Sequence, residues 1–162
     1  MPRVYIETSI VSYLRQRPSG QVVTAARQLL TRRWWESERA NFELVISQYV
    51  IDEASDGDPL LAQERLDSLE GIASLQLGPE IDTIARAIMA GTILPPKAQI
   101  DALHIATAAY HRIDYLLTWN CTHIANARIL PRIHRILSER NCFIPLICTP
   151  EEMLDDEPND ET

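Results

Sequence analysis

The sequence predicts an α/β protein, a three-layer α/β/α fold with a central, mainly parallel sheet of about five strands. Short apolar runs that read as buried strands alternate with longer stretches of helical periodicity, as strands joined by helical crossovers do. The chain has 162 residues with no internal repeat and no visible linker, so one domain is expected over residues 1–150. An acidic, loosely ordered tail is expected over residues 151–162. In such sheets, function gathers at the carboxyl ends of the strands.

Val4-Tyr5-Ile6 reads as the first strand. Thr8 and Ser9 are then placed to cap a helix reaching Leu14, and Arg15 to Gly20 reads as a loop. Ala25, Leu29, Leu30 and Trp34 recur at helical spacing, which predicts a helix from Val22 to about Glu38. Phe42 to Ile46 is a second strand. Ser47 is the expected cap of a helix reaching Ala54, and Pro59 opens another to about Glu70. Ala73 to Leu77 gives a weak strand signal. Pro79 begins a helix that Gly91 ends. Gln99 to Tyr110 is apolar nearly all round, which predicts a central, buried helix. Tyr115 to Thr118 is a buried strand, and a helical pattern interrupted by Pro131 runs from about Ile124 to Arg140. The last strand, Ile144 to Cys148, carries Pro145, which suits a sheet edge.

The formal net charge is −8, which taken alone argues against a nucleic-acid partner. Its distribution argues otherwise. Seven of the 23 acids lie in residues 151–162, and without them 16 acids face 15 bases, a net of −1. Fourteen of those bases are arginine, whose planar fork suits phosphate, and seven of them fall between Arg3 and Arg39. A solvated helical face would give the same composition. Cys121, Cys142 and Cys148 match no zinc spacing and read as buried reduced thiols. No apolar run reaches the roughly 18 residues of a membrane span, and Met1 to Glu7 lacks a signal peptide's apolar stretch. A cytosolic protein with no membrane contact is expected.

The informative residues are acids in unusual places. Glu7 directly follows the first strand and so falls at its carboxyl end. Glu53 shares a helical stripe with Ile46, Val50 and Ala54, whereas Asp52 falls with Gln48 and Asp56 on a polar one. A charge on the apolar side needs a partner, which could equally be an arginine or a metal. Asp101 opens the apolar helix on a stripe with Ile105, Ala108 and Ala109. Asn120 follows the strand of Tyr115 to Thr118 after one residue. Each has a plain structural explanation as a helix-dipole acid, an ion pair or a turn residue. Together, carboxylates gathered at one end of a sheet repel one another unless a cation joins them. A set of Glu, Glu, Asp and Asn oxygens suits Mg²⁺ or Mn²⁺ rather than zinc.

From Val4 to about Pro150 the order and spacing of these features resembles the PIN-domain family, and within it the VapC-type toxins of type II toxin–antitoxin systems. The matching segments are Val4-Tyr5-Ile6-Glu7-Thr8-Ser9, Ser47 with Glu53 six residues on, Asp101-Ala102-Leu103-His104-Ile105-Ala106, and Leu116-Leu117-Thr118-Trp119-Asn120. The chain departs from the family's pattern in having Glu7 where Asp is usual, a neutral Asn120, and His123 where another acid often occurs. The resemblance implies a PIN-like fold and metal-dependent hydrolysis of RNA phosphodiesters with Mg²⁺ or Mn²⁺. It implies that Glu7, Glu53 and Asp101 bind metal directly or through water, with Asn120 as a further ligand or water-positioning group. Thr8, Ser9 and Thr118 would hold the carboxylates. It further implies an RNA substrate, a small antitoxin partner and a homodimer. Arg15 and Arg17 are candidate phosphate contacts, and Trp34 and Trp35 read as core or interface residues rather than base-stacking ones. His104, one turn after Asp101, reads as a satisfied core histidine. The tail could mimic nucleic acid and cover the site in cis. A catalytically weak relative that binds RNA or protein is the alternative that Glu7 and Asn120 motivate.

Overall fold

Val4, Tyr5 and Ile6 have no exposed surface, because they lie in the central strand of a sheet covered on both faces. The computed structural model describes residues 1–92 and 94–155. Among these the chain runs β1 (Arg3–Ile6), α1 (Thr8–Arg15), α2 (Val22–Arg33), β2 (Glu43–Ile46), α3 (Gln48–Ala54) and α4 (Pro59–Leu69). It continues through β3 (Ala73–Ser74), α5 (Pro79–Gly91), α6 (Gln99–Tyr110), β4 (Tyr115–Leu117), α7 (Leu130–Glu139) and β5 (Leu146–Cys148). The five strands are all parallel, in the order β3-β2-β1-β4-β5, and helices complete a three-layer α/β/α fold.

This strand order decides where a site can form. From β1 the chain moves outward through β2 to β3, then α5 and α6 carry it back across to β4 and β5. The direction of winding therefore reverses between β1 and β4, and the crevice beyond their carboxyl ends is the topological switch point. Tyr5 pairs with Leu116 and Ile6 with Leu117 across it. The Glu7 amide continues the ladder by donating to the Leu117 carbonyl at 3.1 Å. Glu7 and Thr118 thus leave adjacent strands side by side. Above them runs α6, whose residues from Ala102 to Ala109 are all buried, as its uniformly apolar sequence requires.

Several local expectations are corrected. The cap of α1 is Glu7, whose carboxylate accepts from the Ser9 amide, rather than Thr8 or Ser9. Ser47 occupies the cap position of α3 but bonds the Tyr5 hydroxyl instead of the helix. The helix from Val22 stays α-helical only to Arg33. It widens into a π turn over Trp34–Glu38, which buries Trp34 against Phe42. Trp34 is fully buried and Trp35 is half-buried beneath the Arg39 guanidinium. The signal over 73–77 yields only two strand residues, Ala73–Ser74. Pro131 opens α7 rather than interrupting a longer helix, because the first turn needs no amide hydrogen there. Of the three thiols only Cys148 is buried. Cys142 is half-buried and Cys121 exposed. The tail begins with a 3₁₀ turn, Glu151–Met153, and Met153 and Leu154 pack on the core. Residues 156–162, the rest of the expected acidic tail, lie outside the described residues.

The packing of α5 on α7 is close at Gly91, where an added Cβ would lie 2.5 Å from Ile136 Cδ1 and 3.1 Å from its Cγ1. Overpacking costs roughly 1–3 kcal/mol, against at most about 1 kcal/mol gained from alanine's helix propensity. Gly91→Ala should therefore lose on the order of 1 kcal/mol in urea denaturation, and a stabilised variant would contradict this close approach.

Candidate functional site

Glu7 is only 4% exposed, yet it has no lysine or arginine partner among the described residues. Its charge is held by neutral donors alone. The Ser9 hydroxyl and the Thr118 hydroxyl each donate to Oε1 at 2.5 Å, and the Ser9 amide donates to Oε2 at 3.1 Å. Both hydroxyls are themselves oriented by backbone amides, Trp119 N to Ser9 Oγ at 2.8 Å and Asn120 N to Thr118 Oγ1 at 2.9 Å. Each hydroxyl thus accepts from the backbone and turns its own proton toward Glu7, an alignment that strengthens both bonds.

Glu53 reaches the same place from α3. Its Oε1 accepts from the Thr8 hydroxyl at 2.7 Å and from His104 Nε2 at 2.5 Å. An ionised carboxylate can only accept, so Nε2 carries a proton in this contact. The protein partner of Glu53 is therefore a histidine from α6, not an arginine. Burial raises the Glu53 carboxyl's affinity for its proton. The bonds from His104 and Thr8, with the charge of His104, outweigh that and bring it below its ordinary value.

Ligand atoms of Glu7, Glu53 and His104 all lie within 4.8 Å of one another. At that separation two carboxylates repel by on the order of 3 kcal/mol for an effective dielectric of about 20. A hard cation between them would remove that repulsion and supply the positive charge that buried Glu7 lacks. With Nε2 committed to Glu53, the oxygens of Glu7 and Glu53 are the donors that fit Mg²⁺ or Mn²⁺, and His104 holds Glu53.

The structure does not bring every candidate residue into this cluster. Asp101 does not join the group, and its Oδ2 instead lies 2.9 Å from His123 Nδ1. The Asn120 side chain is engaged locally, its Oδ1 accepting from the His123 amide at 3.0 Å. That bond builds the turn that carries His123 to Asp101. Thr8, Ser9 and Thr118 all bond the two carboxylates. Arg15 is the last residue of α1, about two helical turns from Glu7, and Arg17 lies two residues beyond it. Arg17 is paired with Glu64 at 3.0 Å, and both arginines line an open groove with Arg32, Trp35 and Glu36. The residues that sequence reasoning missed are Tyr5, whose hydroxyl lies 2.7 Å from His104 Nδ1, and Trp119, whose amide orients Ser9. The only sequence signal for the first was the spacing that puts His104 one turn from Asp101.

Compared with known families and proteins, the chain matches no family model and no curated protein. What it can do rests on this cluster. Among the described residues no helix is long and apolar enough to cross a membrane.

Acid denaturation probes the Glu53 contacts. The carboxyl's folded-state value lies below the ordinary 4.5, so its stabilisation is present above that pH and lost as the pH falls through the folded value. In metal-free buffer the urea midpoint of the wild type should drop more steeply from about pH 5 downward than that of Glu53→Gln. Parallel profiles would show that Glu53 gains nothing from its partners.

Proposed function

We propose that this chain is a PIN-domain-like, divalent-metal-dependent endoribonuclease, in which Glu7 and Glu53 would hold Mg²⁺ or Mn²⁺. The observation that supports it is the meeting of two carboxylates, 46 positions apart in sequence, at the switch point of a parallel sheet, one of them buried without a cation. Structural ion pairs also perturb carboxylates, but they bring their own cation. Among the described residues Glu7 has only hydroxyl and amide donors.

In this reading the bound ion would polarise a phosphodiester and acidify the attacking water. The chain's own part is positioning. Ser9 and Thr118 hold Glu7, while Thr8 and His104 hold Glu53, so both ligands are preset before the ion arrives. Asp101, outside the cluster, takes a water-mediated role, with His123 fixed beside it. Asn120 keeps the Thr118–His123 turn in shape and stays off the ion. A toxin role, with a small antitoxin and a homodimer, rests on the family resemblance in the four motif segments.

One observation favours the alternative of a catalytically weak relative that binds RNA or protein: Asp101 Oδ2 and Asn120 Oδ1 both bond His123. Cleavage of a mixed-sequence RNA by the full chain separates the two. With Mn²⁺, the wild type should cleave and a chelator should stop it. Glu7→Gln and Glu53→Gln should each lose at least about 100-fold. Cleavage unchanged in both variants would end the proposal, and Mn²⁺ binding without any cleavage would select the alternative.

A further inference from the structure

The Tyr5 hydroxyl is the least expected polar group in the molecule. Tyr5 sits in the middle of the central strand with no exposed surface, where an apolar residue would serve the core as well. Its oxygen lies 2.6 Å from Ser47 Oγ and 2.7 Å from His104 Nδ1. His104 is also fully buried, on α6, and its other nitrogen reaches Glu53. Four segments therefore contribute to one line of contacts: Ser47 before α3, Tyr5 on β1, His104 on α6 and Glu53 on α3.

The line has a direction. Glu53 requires a proton on Nε2. The Nδ1 of His104 is then left facing the Tyr5 hydroxyl, and that hydroxyl in turn meets Ser47 Oγ, so the line runs from the core to Glu53. The far end of the line, at Ser47 and Tyr5, is enclosed, while the Glu53 side chain is 36% exposed. Glu53 is the exposed member, and the other three are buried in the core.

We infer that Tyr5 and His104 are positioning residues that set the site's affinity for its divalent cation by fixing the Glu53 carboxylate in advance. This rests on the proposed reading of the Glu7–Glu53 site. A free glutamate side chain loses rotamer entropy when it is immobilised. Bonds already made in the metal-free protein move that loss from the binding step to folding. The Tyr5 and His104 rings meet edge-on at 5.7 Å, so their packing survives removal of the hydroxyl alone.

The test is calorimetric titration of the full metal-free chain with Mn²⁺. Tyr5→Phe keeps the ring and removes the contact to Nδ1, and it should weaken Mn²⁺ binding by about 10-fold or more. His104→Leu removes the donor to Glu53 itself and should weaken binding at least as much. Either variant, folded and binding within about twofold of the wild type, overturns the inference. Ile105→Val, a neighbouring core change that removes none of the line's hydrogen bonds, should shift the denaturation midpoint and leave Mn²⁺ affinity unchanged. Loss of affinity there as well would mean that general destabilisation explains the effect. Should the wild type itself not bind Mn²⁺, the reading of the site falls first and this inference with it. Failure in Tyr5→Phe and His104→Leu alone leaves that reading intact.

Discussion

Glu7 follows the central strand directly, so its carboxylate is committed to the buried end of the sheet by backbone geometry rather than by choice of rotamer. A buried carboxylate costs several kcal/mol unless it is well bonded, and a charged partner is the usual remedy. This chain uses neutral donors instead: two hydroxyls and an amide, each hydroxyl oriented by a backbone N–H. That arrangement satisfies the buried carboxylate with hydrogen bonds and leaves it without a lysine or arginine partner among the described residues. The second carboxylate, Glu53, is drawn to the same place, and it too is held mainly by donors that serve its ionised form.

The sheet order makes this possible. With β1 at the centre and β4 beside it, residues 111 positions apart leave adjacent strands together, and Thr118 can bond Glu7. The α6 helix, apolar on all sides, crosses the same region and delivers His104 to Glu53 and Asp101 to His123. The site is therefore assembled from rigid elements, β1, β4, α3 and α6, rather than from loops. The turn after β4 is the exception, and Asn120 stabilises it.

Most of the fold was legible because it depends on local signals. Val4-Tyr5-Ile6 and Tyr115-Leu116-Leu117 are short apolar runs with polar residues after them, and α6 shows its burial in composition alone. Glu53 was legible from its stripe with Val50 and Ala54. What escaped was set by contacts between distant segments. Ser47 has the local pattern of a cap, but Tyr5 lies close enough to take its hydroxyl. His104 reads as a core histidine, and it is buried and doubly bonded, but one of its partners is a site carboxylate. Asp101 was grouped with the acids because nothing local shows that the Asn120 turn brings His123 within 2.9 Å of it. The widening of α2 into a π turn likewise answers to the packing of Trp34 on Phe42, which helical periodicity cannot show.

Glu7 and Glu53 are proposed to hold one divalent cation between them. Anomalous diffraction from crystals grown with Mn²⁺ tests it most directly, because it locates the ion without reference to activity. The account predicts a single strong peak in contact with oxygens of both Glu7 and Glu53, absent in crystals of Glu53→Gln. A peak coordinated by Asp101 and His123 alone, or no peak near Glu7, would contradict it.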